Sequence, residues 1–399
     1  MIKSVQLKFY MICGMMLVSG LLAGCANESA QSQPGSGQAS FSTAVSPTEE
    51  STADNGDNSG LVWQEREALR YAEGFTIDCY KGGYRLLTLR DGEQILTVPE
   101  GKAVPEGAGA GVVVLQQPVD RVYLLASASM DMFAAMDALD RIAFCGTEAD
   151  GWYIPEAKAA MEAGNITYAG KYSAPDYEML LQNGCRLAIV NTMITHTPEV
   201  ADKMEELGIP VIVDYASYEK SPLGRMEWVK FYGALCGCEE KAEAVFEEQV
   251  KNAGNYADTG KTVAFFYIRN DGVAVVRRSD DYVPEMIRLA GGQYILQGLS
   301  GENHLSTENM QMEEFYARAK DADYIVYNGT TAGEIQSVQE LLGKSELMSE
   351  FKAVKEGHVY AVSKNLYQST MSLGTVIADF HEMLTDGAEE KLVYLKKLE

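Results

Sequence analysis

The chain has 399 residues, a formal net charge of −24 and 46% hydrophobic residues. That length holds more than one core-forming lobe. The acidic balance excludes nucleic acid as a partner, because phosphate binding needs clustered Lys and Arg.

Residues 1–24 read as a secretory signal. Lys3 and Lys8 charge its start, and Phe9 to Leu22 is apolar but too short and glycine-punctuated for a membrane span. Leu21-Leu22-Ala23-Gly24-Cys25 resembles a bacterial lipobox. That resemblance implies cleavage before Cys25, lipid attachment to it, and a chain anchored to the membrane rather than spanning it. An ordinary signal peptide with an incidental Cys is the alternative. Within residues 25–60, the stretch 27–60 is mostly Ser, Gln, Gly, Thr, Asn, Asp and Glu with almost no large apolar side chain. Such a segment cannot offset its ordering entropy and reads as a flexible tether.

Residues 61–111 are predicted to form a β-rich extension. Phe75–Tyr80 and Tyr84–Leu89 flank Lys81-Gly82-Gly83, a hairpin signal, and Arg90-Asp91-Gly92 turns the chain into a strand over 94–98. From Val112 the pattern changes to strands of four to seven apolar residues between helices, which predicts parallel βαβ units. Strands are expected at 119–125, 141–144, 187–190 and 210–213, with helices at 129–139, 176–182 and 198–207. Pro222 to Ala257 has no strand signal. Met226, Val229, Tyr232, Leu235, Ala242, Val245, Phe246 and Val250 recur at helical spacing, interrupted by Gly233, Gly237 and Gly254. This is one long helix or two consecutive ones; a single helix of about 25 residues would run roughly 37 Å. Beyond it the alternation restarts. Strands are expected at 262–268, 273–276, 324–327 and 358–362, and helices at 283–289, 313–319, 337–343 and 370–384. The predicted fold class is therefore α/β: an N-terminal lobe over 112–220, a rigid helical link over 221–257 and a C-terminal lobe over 258–399.

Several motifs resemble those of the helical-backbone class of ABC-transporter solute-binding proteins, the group that serves siderophore, haem and cobalamin uptake. Pro118-Val119-Asp120-Arg121-Val122 resembles its opening strand, and Tyr177-Glu178-Met179-Leu180-Leu181 its "E-x-L-L" helix. Leu207-Gly208-Ile209-Pro210-Val211 and Leu289-Ala290-Gly291-Gly292 match "L-G-I-P-V" and "l-A-G-G". Ala353-Val354-Lys355-Glu356-Gly357-His358-Val359-Tyr360 matches "A-V-K-x-G-x-V-Y". The resemblance covers roughly residues 119–385. It departs where Cys185-Arg186 and Ala322-Asp323 stand in place of Pro-Asp.

The resemblance implies an importer's binding component. Its partners would be a small-molecule metal chelate, the ABC permease and the membrane through the anchor; a monomer without cofactor or resident metal is expected. Haem and cobalamin remain alternative ligands to a ferric siderophore. It also implies that one exposed Glu from each lobe pairs with permease arginines: Glu178, and Glu313 or its neighbour Glu314. A cleft between lobes would be lined by loops at the carboxyl ends of strands. Candidate ligand contacts there are Ser129, Trp152, Tyr153, Tyr172, His196, Tyr215 and Tyr218 in the first lobe. In the second they are Arg269, Arg277, Arg278, Tyr327 and Tyr367. Aromatic rings suit a large flat ligand, and guanidinium groups suit an anionic one.

His196, His304, His358 and His381 are isolated from one another, which argues against a bare Zn or Mn ion in the cleft. His196 or His304 could serve as an axial ligand. Cys79, Cys145, Cys185, Cys236 and Cys238 are an odd set, and Cys236-Gly-Cys238 has no second pair or nearby His to complete four ligands. Two rival classes are a lipid-anchored hydrolase and a surface adhesin. Ser217-Tyr218-Glu219-Lys220 and Ser349-Glu350-Phe351-Lys352 match S-x-x-K, but neither S-D-N, K-T-G nor G-x-S-x-G accompanies them.

Overall fold

The computed structural model describes residues 60–108, 111–300 and 305–399, all within the unit Gly56–Glu399. The expected signal segment, Cys25, the tether up to residue 59 and His304 lie outside the described residues.

The chain begins with a five-stranded sheet in the order β1-β2-β3-β4-β5. Its strands are β1 (Trp63–Arg66), β2 (Phe75–Tyr80), β3 (Arg85–Leu89), β4 (Gln94–Val98) and β5 (Val112–Gln116). The β2–β3 and β3–β4 pairs are antiparallel hairpins, as predicted from their turns, whereas β4–β5 is parallel. Val112–Gln116 therefore completes the N-terminal sheet rather than opening the next lobe, and the boundary expected at 112 shifts past 116.

The N-terminal lobe follows as β6 (Val122–Leu124), α1 (Met130–Ala135), β7 (Ile142–Cys145), α2 (Pro155–Glu162) and β8 (Thr167–Tyr168). A small ribbon, β9 (Gly170–Lys171) with β10 (Ala174–Pro175), precedes α3 (Tyr177–Gln182), β11 (Leu187–Asn191), α4 (Pro198–Glu206) and β12 (Val211–Asp214). Its sheet runs β12-β11-β6-β7-β8, parallel throughout. Both faces are covered, one by the main core and one by a second cluster around Tyr123, Phe144 and Val190. That double burial is why its strands read as continuous apolar runs.

The helical segment is two helices, α5 (Pro222–Cys236) and α6 (Glu239–Ala253), packed on each other. Pro222 sits at the first turn, and Ser221 Oγ accepts the Gly224 amide. Gly237 ends α5 in the left-handed region at φ 71°, so no single 37 Å rod forms. The two helices approach closely because Gly233 lacks a side chain; a Cβ there would lie 2.5 Å from the Ala242 Cβ. Of the fifteen residues of α5, only Arg225 is not fully buried. Such all-round burial marks a central helix. Trp228 and Phe231 meet Phe75 of the N-terminal sheet at 4.9 and 5.5 Å, while Tyr232 meets Phe133 of the N-terminal lobe at 5.0 Å.

The C-terminal lobe comprises β13 (Thr262–Ile268), β14 (Ala274–Arg277), α7 (Tyr282–Leu289), β15 (Gln293–Tyr294), β16 (Thr307–Met310) and α8 (Met312–Ala319). It continues through β17 (Tyr324–Asn328), α9 (Gly329–Ala332), α10 (Val338–Lys344), α11 (Lys352–Glu356), β18 (Val359–Val362), α12 (Leu373–Leu384) and β19 (Leu395–Lys397). The sheet order is β16-β14-β13-β17-β18-β19, with β15 also on β13. Its centre, β13-β17-β18, is parallel and its outer strands β14, β16 and β19 are antiparallel. Helix α12 packs on α6, tying this lobe to the helical pair. The architecture is α/β with two lobes, a helical link and a β-rich extension.

Two buried carboxylates fasten the extension to this link. Glu227, with no exposed surface, accepts the amides of Arg70, Tyr71 and Ala72 at 2.7–3.0 Å. Glu219 accepts those of Glu73 and Gly74 and the Trp228 indole N–H, the closest contacts at 2.8–3.0 Å. Several N–H donors on one carboxylate replace its lost hydration, which is the condition for burying it.

Candidate functional site

The loops that leave β6, β11 and β12 at their carboxyl ends converge on a cavity of about 260 Å³. Ser127–Ser129, Asn191–Met193 and Asp214, Ala216 and Ser217 supply most of its wall, with Arg225 of α5 and Thr370 of the C-terminal lobe closing it. Carboxyl ends of parallel strands are where α/β sheets place ligands, since side chains from several crossovers meet there. A second cavity of about 230 Å³ shares Ser217 and Arg225 with the first. Its far wall is Asp280–Tyr282 and Leu305–Ser306 of the C-terminal lobe. Together they form a cleft between the lobes.

The N-terminal wall is a closed polar network. Ser129 Oγ and the Tyr232 hydroxyl both donate to Asp214 Oδ2, the latter at 2.6 Å. Asp214 Oδ1 accepts the Ala216 amide at 2.7 Å. Burial, reinforced by Asp214, holds the Tyr232 phenol well above its ordinary range, so it stays a donor. Asn191 Nδ2 donates to the Leu125 carbonyl at 3.1 Å and fixes the neighbouring loop.

The opposite wall mixes both charges, with Lys220 and Arg225 beside Glu219, Asp280 and Asp281, and its guanidinium groups are less satisfied. The Arg225 guanidinium lies 3.7 Å from the centroid of the Tyr282 ring and donates to the Ser217 and Glu219 carbonyls at 2.6 and 3.0 Å. Among the described residues it has no carboxylate partner. Burial lowers its pKa from the ordinary arginine value. Behind Tyr282, Arg277 faces Asp281 only at 3.6 Å, and Arg278 faces Glu308 at 3.9 Å. Arg277 Nε, Arg278 Nε and Arg278 Nη1 are buried without a hydrogen-bond partner. The nearby carboxylates are occupied: Asp280 pairs with Lys220 at 2.9 Å, Asp281 caps α7 through the Val283 amide, and Glu219 holds Gly74.

Two contacts join the lobes beside the cleft. Gln368 receives the Tyr153 amide at 2.7 Å and donates to the Gly151 carbonyl at 2.9 Å. Asp131 accepts the Met371 amide at 2.7 Å, while burial raises its carboxyl to about 6. Tyr153 and Tyr367, from opposite lobes, meet edge to face at 6.0 Å and both remain exposed.

The residues singled out from sequence fall into three groups. Ser129, Tyr218, Tyr153 and Tyr367 border the cleft or its lobe contact, with Arg277 and Arg278 one layer behind it. Tyr215 turns to the N-terminal sheet: its hydroxyl donates to Asp91 at 2.7 Å and Arg90 lies over its ring. The others sit elsewhere. Trp152 is buried and donates to Met161 Sδ at 3.1 Å, Tyr327 is fully buried against Phe266, and Tyr172 packs on the second core cluster. These three serve as core because their side chains fall on the covered face of loop or strand. Arg269 pairs with Asp271 at 2.7 Å in its own hairpin turn, and His196 is exposed at the end of a short helical turn outside both cavity walls. Glu178 and Glu313 are exposed in the first turns of α3 and α8.

Arg225, Tyr282, Asp214 and Glu219 were not foreseen as cleft residues, whereas Gln368 follows Tyr367 in a loop the sequence pointed to. Glu227 and Lys230, charges inside an otherwise apolar stretch, were the one visible sign that this helix carries buried polar work. Among the described residues no three His, Cys, Asp or Glu side chains converge as metal ligands, and no helix is long and apolar enough to cross a membrane.

Two α/β lobes around a cleft, held by a central helix, define a bilobal binding protein. Residues 122–366 match the family described as periplasmic binding protein, and the chain belongs to that family. It is 26% identical over 331 residues to the uncharacterized lipoprotein MJ0878 of Methanocaldococcus jannaschii, covering 78% of each chain. It is 24% identical to the uncharacterized lipoprotein MJ0872 of the same organism, covering 83% of this chain and 86% of that one. Among solved structures, a periplasmic binding protein from Veillonella parvula superposes with a TM-score of 0.54 at 18% identity, covering 67% of this chain and 90% of that chain. The periplasmic haem binding protein HutB of Vibrio cholerae gives 0.53 at 15% identity, over 65% and 97%. These likenesses establish the fold.

Proposed function

We propose that this chain is the extracytoplasmic binding component of an ABC importer and captures an anionic metal chelate, with a ferric siderophore as the first candidate. The observation that carries the reading is Arg225: a guanidinium on the cleft wall with no carboxylate partner, backed by the unpaired donors of Arg277 and Arg278. A buried cation without a counter-ion is costly in an empty protein and is relieved by an anionic ligand. The exposed Tyr153–Tyr367 pair offers ring faces and edges to a flat chelate. The periplasmic catecholate-siderophore binding protein VctP of Vibrio cholerae shares the fold at a TM-score of 0.52 and the haem binding protein HutB at 0.53, so haem is the second candidate.

Binding rather than hydrolysis fits the cleft hydroxyl, because Ser129 donates to Asp214 and no histidine stands beside it among the described residues. Lipidation at Cys25, with the lipoprotein relatives in support, would hold the monomer at the membrane through the tether. Glu178 and Glu313 would dock the permease. The two-helix link and the Gln368 contact would keep closure small.

A thermal-shift panel of ferric catecholates, ferric hydroxamates, haem and cobalamin tests this, since a ligand that binds the folded state raises its apparent stability. Ferric catecholate should give the largest rise, and Arg225→Gln should abolish it. Equal, null shifts across the panel would sink the chelate reading. A Glu178→Arg variant that binds ligand yet supports full uptake would remove the docking assignment.

A further inference from the structure

Cys236 and Cys238 bracket the turn from α5 to α6. Both are free thiols, Cys236 buried and Cys238 half-buried. Gly237 between them adopts φ 71°, the left-handed turn that ends α5. Two positions apart, the thiols act on each other: Cys238 pushes the Cys236 thiol up and Cys236 pulls the Cys238 thiol down. A third sulfur completes the group: Met136, fully buried just past α1, places its Sδ 3.8 Å from Cys238 Sγ. From the sequence the pair lacked a partner, because Met136 is a hundred positions away.

Three sulfurs and no nitrogen or oxygen ligand make a soft site. With a metal–sulfur length of about 2.3 Å, sulfurs arranged trigonally around one ion sit about 4 Å apart. The Cys238–Met136 separation is within a few tenths of that value. Zinc favours four ligands, whereas a soft monovalent ion selects thiolate and thioether. The surroundings balance charge. Two thiolates on a monovalent cation leave one net negative charge, and the charged groups that act on the pair are Arg141 and Lys241 in favour, with Asp140 and Glu239 opposing. Lys241 is also tied to Asp137 at 3.1 Å on the surface above. The partial exposure of Cys238 gives the ion a way in.

We propose that Cys236, Cys238 and Met136 form a Cu(I) site, separate from the ligand cleft. On loading, two Cu–S(thiolate) bonds and one Cu–S(thioether) bond form and the two thiols release their protons to solvent. Copper stays Cu(I) throughout, so no oxidant or reductant is needed.

The test uses the full purified chain, reduced and kept under anaerobic conditions, titrated with Cu(I) as its acetonitrile complex against a chromogenic Cu(I) chelator. One Cu(I) per chain should be withheld from the chelator. Cys238→Ser should weaken retention by more than about 100-fold, since even an outer-shell partner is worth roughly 10–100-fold. Met136→Leu, which conserves volume and keeps the fold, should weaken it by about 10-fold while both thiols remain titratable. Circular dichroism of both variants should overlay that of the parent. Loss of all copper from the reduced parent to the chelator overturns the proposal. Retention unchanged in both variants also overturns it, by placing copper elsewhere. A Cys236–Cys238 disulfide that mass spectrometry finds intact after the reduction step reassigns the pair as a structural cross-link and overturns it too.

Discussion

The two walls of the cleft handle buried polarity in opposite ways. On the N-terminal side, Ser129, Tyr232 and the Ala216 amide all end on Asp214, so every group in that network has a protein partner. Across from it, three buried guanidinium nitrogens of Arg277 and Arg278 in the C-terminal lobe have none, and Arg225 of the central helix leans on carbonyls and a ring. A satisfied network supplies shape, because its removal leaves unpaired groups behind. An unsatisfied cluster supplies affinity, because a ligand can complete it. The difference teaches that a binding wall and a scaffolding wall can be told apart by which polar atoms lack partners.

The largest expected effect comes from breaking the satisfied wall. Asp214→Ala strands three buried donors and should cost about 3–5 kcal/mol in denaturant unfolding, with the m-value unchanged. A loss below 1 kcal/mol would show the network to be ornamental. The opposite substitution, Arg278→Met, removes donors that have no partner in the empty protein. It should leave apo stability unchanged or raise it by up to about 2 kcal/mol, while weakening chelate binding about tenfold by isothermal titration. Joint loss of stability and binding would erase the contrast between the walls.

Smaller effects test what keeps the walls apart. Gln368→Leu cuts both bonds to Tyr153 and Gly151 and should cost about 1–2 kcal/mol. It should also raise the ligand off-rate in stopped-flow fluorescence, with the on-rate little changed. The smallest effect is a pH dependence in the turn from β3 to β4, away from the cleft. Burial, with Asp91 and Glu205 adding repulsion, raises the Glu93 carboxyl to about 7. Its folded pKa is above the unfolded one, so its contribution is complete below about pH 4.5 and fades as pH rises through 7. Glu93→Gln should therefore flatten the fall in stability between pH 4.5 and 7.5, by about 1 kcal/mol once solvent screening is allowed for, in urea titrations at fixed ionic strength. Parallel pH profiles for parent and variant would remove Glu93 from this role.

Much of the fold was legible because its signals are local. The strand Thr262–Ile268 was read to the residue, since a run of β-branched and aromatic side chains is bounded by Gly260 and Asn270-Asp271-Gly272. Val112–Gln116 was placed in the N-terminal lobe with no strand expected there, because a parallel partner, unlike a hairpin, leaves no turn to read. The helical segment was seen, but its division at Gly237 depended on a left-handed cap that spacing alone leaves open. At the site, Tyr153 and Tyr367 could be anticipated as aromatics on loops after strands. Trp152, one position from Tyr153, is core, because the turn over Ala149–Gly151 points it inward. Arg225 and Gln368 owe their positions to contacts across lobes, which no one-dimensional pattern records.

The clasp of five amides on Glu219 and Glu227 bears on the order in which the chain can fold. Arg70 and Glu227 are 157 positions apart, and closing a loop of that length costs about 4 kcal/mol in chain entropy. A chain that emerges amino end first, from a ribosome or through a translocation channel, exposes the 70–74 segment long before its acceptors arrive. The hairpins of the N-terminal sheet can form early, but docking has to wait until α5 is out. The first part of the fold to be made is thus fastened only after the whole N-terminal lobe has followed it out.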